Sequence, residues 1–211
     1  MENDDRYITA LVDLDEKKVL ELTKERLETG GPTKILEDIK KGMDLVGKRF
    51  EEGRYFIADL MMAGAILKKL SGITKSKIKD SEKPRTLAKV VIGTVEGDFH
   101  DIGKDIVISV LETSDFEVID LGVDVPPDKF VEAIKEYHPQ IVAMSALLTI
   151  VFDSMKKTIE AIEKAGFRDK VKIMIGGGVV DDDVKGYVRA DAYRSDPVAA
   201  LSLARKWVQV E

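Results

Sequence analysis

A histidine that could bind a metal and a carboxylate that could orient it stand close together in the loop Thr94-Val-Glu-Gly-Asp98-Phe-His100-Asp-Ile-Gly103-Lys104. His100 is one of only two histidines in the chain, and the carboxylate Asp98 precedes it by two residues. An imidazole can bind a metal through one ring nitrogen while an acid holds the other nitrogen. This pairing therefore predicts that His100 is a metal ligand and that Asp98 orients its ring.

The segments on either side place this loop at the end of a strand. Residues 87–93 form an apolar run that is typical of a buried parallel strand. Residues 101–111 carry apolar side chains at helical spacing. Because open parallel sheets bind their ligands at strand-to-helix turns, the loop stands where a binding site is expected.

The second half of the chain alternates strands with helices. The predicted strands are 88–95, 117–121, 141–145, 172–176 and 190–193, and the predicted helices are 101–113, 127–137, 152–165, 182–188 and 197–210. This pattern predicts an α/β fold, a doubly wound flavodoxin-like sheet of five parallel strands in the order 2-1-3-4-5. In that order the loops after strands 1, 3 and 4 share one rim. Those loops carry Asp98, His100 and Gly103, then Ser145, Leu147 and Thr149, then Gly176, Gly177 and Gly178.

The first half is helical throughout and predicts a small bundle. Its four predicted helices begin at Ile8 and then cover about 15–29, 35–52 and 56–72. Residues 74–86 are polar, rich in lysine and closed by a proline, which is typical of a linker. The expected domains are therefore residues 1–73, which are helical, and residues 87–211, which form the α/β sheet.

Composition excludes several classes of protein. The chain has no cysteine, which excludes disulfides, a thiol nucleophile and thiolate-bound metals. The net charge of −6 argues against non-specific nucleic-acid binding. No window has the roughly 18–20 apolar residues of a membrane span. The acidic start of the chain has no signal-peptide pattern, so we expect a cytoplasmic protein.

The spacing of three blocks resembles a known signature. Asp98-x-His100-x-x-Gly103 is followed after forty-one residues by Ser145-x-Leu147, and after another twenty-eight by Gly176-Gly177. This is similar to the base-off/His-on cobalamin-binding signature. The helical half, with Phe50-Glu-Glu-Gly-Arg-Tyr-Phe56, resembles the helical cap of methionine-synthase-type B12 modules. Overall the chain resembles the corrinoid proteins of methyl-transfer systems that use methanol, methylamines or aryl methyl ethers.

The resemblance implies a function and a set of partners. The cofactor would be cobalamin or a related corrinoid, cycling between methylcobalamin and Co(I) cobalamin. The chain would carry a methyl group from a substrate-specific corrinoid methyltransferase to a second methyltransferase, whose acceptor would be tetrahydrofolate or a thiol coenzyme. A reductive activation protein would be a further partner, and no nucleic acid or membrane would be. The chain alone would be a carrier subunit that catalyses little.

The resemblance also implies roles for individual residues. His100 would be the lower cobalt ligand, held by Asp98, and both would take part in catalysis. The other residues expected to bind the cofactor are Phe99, Asp101, Ile102, Gly103, Ser145, Leu147, Thr149, Gly176, Gly177, Gly178, Tyr193 and Phe56. The large apolar residues expected to cover the upper face of the corrinoid are Tyr55, Phe56, Leu60, Met61 and Met62. Val151 departs from the family pattern, because a serine there would extend the Asp–His pair into a triad.

Several alternatives stay open at this point. A cobalamin-binding subunit of an adenosylcobalamin mutase would share the sheet domain, and a cobalamin-based sensor would share the cap as well. His138 is interpreted as a helix-end residue, and Asp181–Asp183 as an acidic helix start and not a divalent-cation cluster. The methyl donor and acceptor, the lower base of the native corrinoid, the oligomeric state and the docking surfaces are not determined by the sequence.

Overall fold

The chain forms two compact units, Met1–Arg85 and Thr86–Glu211. Its computed structural model describes residues 2–29, 32–74, 86–112 and 114–208. The predicted linker falls mostly on residues 75–85, and the predicted helix ends at 113 and 210 also lie outside the described residues. None of the helices in the described ranges has both the length and the apolar composition that crossing a membrane requires.

The described residues of the first unit form four helices around an apolar core. They are α1 Glu2–Val12, α2 Glu16–Thr29, α3 Pro32–Glu51 and α4 Ile57–Thr74. The first helix begins earlier than Ile8, at Glu2, since the polar residues before Ile8 continue the same helix. Asp15 Oδ1 accepts a hydrogen bond from Lys18 N at 3.0 Å, and Asp59 Oδ2 accepts one from Phe56 N at 2.8 Å. Carboxylates at these positions satisfy the free N–H groups that begin α2 and α4.

The second unit is a five-stranded parallel sheet with helices between its strands. The strands are β1 Ala88–Thr94, β2 Phe116–Asp120, β3 Ile141–Ser145, β4 Lys172–Gly176 and β5 Ala192–Arg194. The helices are α5 Ile102–Glu112, α6 Pro127–Tyr137, α7 Phe152–Lys164, α8 Asp182–Val188 and α9 Pro197–Val208. The strand order is β2-β1-β3-β4-β5, which confirms the predicted fold and topology.

The prediction for the last strand was two residues too early at its start. Arg189 ends α8 in the left-handed conformation, with φ of 66°. Asp191 then stays outside the strand: its N–H bonds Ile173 O at 2.9 Å, and its side chain accepts from Ile173 N at 2.7 Å. β5 therefore begins at Ala192 and runs through Arg194.

The strand register aligns the ends of four strands in one row. Thr94 pairs with Ser145, Ser145 with Gly176, and Gly176 with Arg194. The loops that follow β1, β3 and β4 therefore leave the sheet side by side, at the same rim. This confirms the predicted convergence of the three loops.

Two helix ends follow the interpretation of their sequences. His138 closes α6 in the left-handed conformation, with φ of 49°. Asp181 caps α8, because its Oδ1 accepts a hydrogen bond from Val184 N at 2.9 Å. Both residues are thereby accounted for by local backbone structure.

Gly93 in β1 is needed because α6 and the loop after β2 pack directly on it. A Cβ atom at this position would lie 3.0 Å from Phe130 Cζ and 3.2 Å from Val125 Cγ2. Phe130 is fully buried and has no room to move away. The core of the second unit therefore leaves no space for a side chain here.

We expect Gly93→Ala to destabilise the second unit by about 1–3 kcal/mol, the usual cost of overpacking a filled core. Urea unfolding followed by the fluorescence of Trp207, the chain's one tryptophan, measures this unit. Gly186→Ala is the matched control, because no atom lies within 4 Å of its added Cβ. In that helical position alanine should stabilise by roughly 0.5–1 kcal/mol. Equal stability of Gly93→Ala and wild type would contradict the packing argument.

Candidate functional site

The loop after β1 holds the ring of His100 in one orientation. Asp98 Oδ1 lies 2.7 Å from His100 Nδ1 and also accepts the backbone N–H of His100 at 3.0 Å. A carboxylate can only accept, so Nδ1 carries a proton, and in the neutral imidazole Nε2 is then the nitrogen with the lone pair. Within the described residues Nε2 has no hydrogen-bond partner, and 53% of the His100 side chain is exposed. The ring therefore presents a free nitrogen ligand to solvent.

The second oxygen of Asp98 fastens the loop after β3. Asp98 is fully buried, and its Oδ2 accepts the N–H groups of Leu147 at 2.6 Å and Leu148 at 3.1 Å. Burial by itself would raise the pKa of Asp98. The hydrogen bonds from Leu147, the His100 ring, the His100 backbone and Leu148 outweigh burial, so the pKa lies below its ordinary value. Asp98 therefore remains a carboxylate and joins two loops to the ring.

Val151 cannot extend the Asp98–His100 pair into a triad, because its side chain has no hydroxyl. It stands in a short 3-10 turn, Thr149–Val151, and its side chain is buried. A Cβ on Gly97 would lie 3.3 Å from Val151 Cγ1, so the valine packs under the loop after β1. The position that would carry a serine hydroxyl carries an apolar contact, and the backbone N–H groups of Leu147 and Leu148 bond Asp98.

Two residues that sequence reasoning missed also hold this loop. Thr94, fully buried at the end of β1, donates from Oγ1 to the backbone oxygen of His100 at 2.9 Å. Asp124, in the loop after β2, donates its N–H to Asp98 O at 2.9 Å and accepts from Gly97 N at 2.7 Å. A threonine at the end of an apolar strand was a readable signal. Asp124 gave none, because its contacts depend on which loops are neighbours.

The glycines after β4 have different surroundings from one another. At Gly177, φ is 131° and a Cβ would lie 1.8 Å from Ala146 O. Only glycine fits at position 177, because the backbone after β3 fills the space that a side chain would need. Gly103 differs, because nothing lies within 4 Å of its Cβ position. At Gly103 the first turn of α5 can be approached closely from outside.

Apolar side chains are exposed in the same loops. Ile150 is 83% exposed and Phe99 is 68% exposed, which is unusual for residues of this size. Ile102, Leu147 and Leu148 are exposed as well. Thr149 and Asp101 are exposed and Ser145 is half-buried. A free imidazole nitrogen on loops rich in exposed apolar groups fits a large, mostly apolar ligand that brings a metal with it.

Tyr193 and Phe56 belong to other elements than the His100 loop. Tyr193 belongs to β5, three strands from β1, and lines a cleft of about 480 Å³ with Arg194 and Trp207. Phe56 belongs to the first unit, where it precedes α4 and is 70% exposed. Nearby, Leu60 is buried in the bundle, whereas Met61 and Met62 are exposed. Tyr55 is bound within the bundle, since its hydroxyl donates to Val12 O at 2.5 Å.

Known families and structures match the chain along most of its length. Two models, each described as a B12 binding domain, match residues 88–201 and residues 4–75. Trimethylamine corrinoid protein 1 of Methanosarcina acetivorans is 39% identical over 199 residues, which cover 93% of this chain and 92% of that protein.

Two solved structures are also similar. A cobalamin-binding protein from Desulfitobacterium hafniense is 36% identical, with 98% of this chain and 99% of that one covered and a TM-score of 0.76. The methanol:cobalamin methyltransferase complex MtaBC from Methanosarcina barkeri contains a chain that is 26% identical. The coverage there is 100% of this chain and 81% of that one, with a TM-score of 0.84.

We expect Asp98→Asn to lower the free energy of unfolding of the second unit by about 1–3 kcal/mol, because an amide nitrogen in place of one oxygen leaves buried N–H donors without an acceptor. Urea unfolding of the ligand-free protein, followed by Trp207 fluorescence, measures the change. Asp101→Asn is the matched control, since this exposed carboxylate stands in the same loop. A loss no greater than that of the control would show that Asp98 does not tie the loops together.

Proposed function

We propose that this chain, which belongs to the B12-binding family of corrinoid proteins, binds its corrinoid through His100 and carries a methyl group between two methyltransferases. Membership of the family identifies the cofactor as cobalamin or a related corrinoid. When bound, the corrinoid supplies a cobalt ion that accepts a methyl group from one partner and donates it to the other. The chain's own residues hold the cofactor and control access to it.

One observation carries the proposal for the ligand. His100 presents Nε2 to solvent, while its Nδ1 is fixed by a buried carboxylate at 2.7 Å. Among the described residues, no group of three or more histidine or acidic side chains is arranged to hold a metal ion. A single fixed imidazole suits a metal that already has four ligands from its macrocycle. His100 would then take the place of the cofactor's own base, which is the base-off/His-on arrangement.

The displaced base and its tail need a place in the second unit. Ser145 and Gly176 stand side by side at the ends of β3 and β4, and Gly178 follows. We assign the tail to this part of the rim, with the hydroxyls of Ser145 and Thr149 as hydrogen-bond donors. Gly177 would line the tail's path through its backbone alone, because the backbone of Ala146 leaves no room for a side chain there.

The relatives favour one class of methyl donor. A protein named for trimethylamine is 39% identical to this chain, whereas the chain in the methanol complex is 26% identical. We therefore assign a methylamine as the donor, delivered by a methylamine-specific corrinoid methyltransferase. The second methyltransferase would use tetrahydrofolate or a thiol coenzyme, and a reductive activation protein would restore the cobalt after oxidation.

The ligand is tested by electron paramagnetic resonance of the protein reconstituted with hydroxocobalamin and reduced to Co(II). Growth with ¹⁵N-histidine should change the nitrogen splitting of the cobalt signal from three lines to two, because the axial nitrogen then comes from His100. In His100→Ala the change should disappear, and the Kd for the cofactor should rise about tenfold or more.

His138→Ala is the matched control, because His138 is the chain's other histidine. It should behave like wild type in both measurements, since it only ends α6. A three-line signal from the ¹⁵N-histidine protein would mean that the cofactor's own base stays on cobalt. The corrinoid assignment would then survive and the role of His100 would not.

Phe56 is proposed to cover the upper face of the corrinoid, together with Met61 and Met62. All three side chains are exposed in the first unit, where they contribute little to its core. We expect Phe56→Ala to speed the binding of azide to the reconstituted hydroxocobalamin protein several-fold, as measured by stopped-flow absorbance. Leu45→Ala is the control, because Leu45 is an exposed apolar residue of α3 in the same unit. An azide rate equal to that of the control would remove Phe56 from the cover.

A further inference from the structure

Lys104 is a buried cation in the first turn of α5, four residues after His100. Only 2% of its side chain is exposed. Its Nζ donates to Asp105 Oδ1 at 2.7 Å and to both carboxylate oxygens of Asp120 at 2.9 Å. The two acceptors differ in place, since Asp105 belongs to the same helix and Asp120 ends β2. Of these two acceptors, only Asp120 connects Lys104 to an element other than α5.

Asp120 begins a segment that grips the end of β1. Its Oδ1 accepts Gly122 N at 2.9 Å, and Gly122 O accepts Thr94 N at 3.0 Å. Thr94 O in turn accepts Val125 N at 3.0 Å. Residues 120–125 therefore bond both the backbone N–H and the backbone oxygen of Thr94. The Thr94 hydroxyl in turn donates to the backbone oxygen of His100.

These contacts fasten the metal-ligand loop at both ends to one segment. Thr94 precedes the loop and Lys104 follows it, and both are bonded to residues 120–125. Between them, Asp124 bonds Asp98 O from the same segment. A loop whose two ends are held by one rigid neighbour has fewer conformations to lose when a ligand binds.

We infer that Lys104 is a positioning residue for His100, which it holds ready for cobalt by clamping the start of α5 to Asp120. The inference rests on the proposed function, because it assumes that His100 is the ligand. Lys104 itself would not touch the cofactor. Its effect passes through Asp120 and the segment that follows β2.

A purely stabilising role explains the arrangement less well. Burying an ammonium costs solvation free energy that an ion pair often only balances, and apolar replacements of such pairs are frequently neutral or stabilising. Burial would lower the pKa of Lys104, but its bonds to Asp105 and Asp120 outweigh burial and raise it. The residue therefore stays charged, and it pairs with Asp120 at the end of β2 as well as with Asp105.

The experiment compares Lys104→Met and Asp120→Asn with Asp105→Asn in the whole 211-residue chain. Methionine replaces the unbranched stem of the lysine with an apolar chain of nearly the same length and removes the clamp. Asp120→Asn keeps an acceptor for Gly122 N and removes the charge. Asp105→Asn is the matched control, because it takes one carboxylate from the same ammonium without breaking the contact between α5 and β2.

Two readouts are measured. The first is hydrogen exchange of the backbone N–H groups of Gly97 and His100 in the cofactor-free protein, which should become about tenfold faster in Lys104→Met and Asp120→Asn as the loop opens more often. The second is the Kd for hydroxocobalamin, which should rise about tenfold, at the lower end of the range for groups that orient metal ligands. The double variant should be no worse than either single one, because both remove the same contact.

The outcomes separate this inference from the proposed function. If Asp105→Asn behaves like the other two variants, the loop depends on the number of carboxylates around the ammonium and not on the link to β2. The inference is then wrong. If Lys104→Met changes the urea midpoint but neither exchange nor Kd, Lys104 is only a stabilising residue. If wild type itself lacks a histidine nitrogen on Co(II), the proposed ligand fails, while the exchange data still decide whether Lys104 orders the loop.

Discussion

The arrangement of the loops after β1 and β3 depends on the buried carboxylate of Asp98. Asp98 uses one oxygen for the ring and backbone of His100 and the other for two N–H groups of the loop after β3. A buried carboxylate with fewer partners would be costly, so these four hydrogen bonds act together. The same interaction that orders the loops also selects the tautomer of His100 and leaves its Nε2 free. Asp98 therefore both orders the two loops and orients the ring of His100.

The parallel sheet brings the loops that Asp98 joins into neighbouring positions on a rigid base. Thr94, Ser145 and Gly176 stand in one row, so the loops that follow them are neighbours from their first residue. The loop after β4 then lies so close to Ala146 that only glycine fits at position 177. Ligand groups set on such a base lose little freedom on binding, which is the advantage of preorganisation.

Both units have complete cores and yet expose large apolar side chains. In the second unit Phe99, Ile102 and Ile150 are exposed on the loops of the site, and in the first unit Phe56, Ile57 and Met62 are exposed. Exposed apolar groups are costly to a protein that acts alone, and they commonly mark binding surfaces. The proposed carrier function, in which the chain meets a cofactor and two methyltransferases, would account for surfaces of this kind.

Much of this protein could be predicted from its sequence, because the signals are local. The alternation of apolar runs with helical spacing predicted the α/β class and the strand order, and Asp98-x-His100 marked the loop that carries the proposed metal ligand. The boundaries of β5 were missed because Asp191 bonds a residue of β4 that is distant along the chain. Only the tertiary structure decided that Asp98 binds Leu147, that Gly177 meets Ala146, and that Lys104 meets Asp120. Those contacts join loops whose proximity comes from strand register, and register is a property of the folded sheet that no local pattern contains.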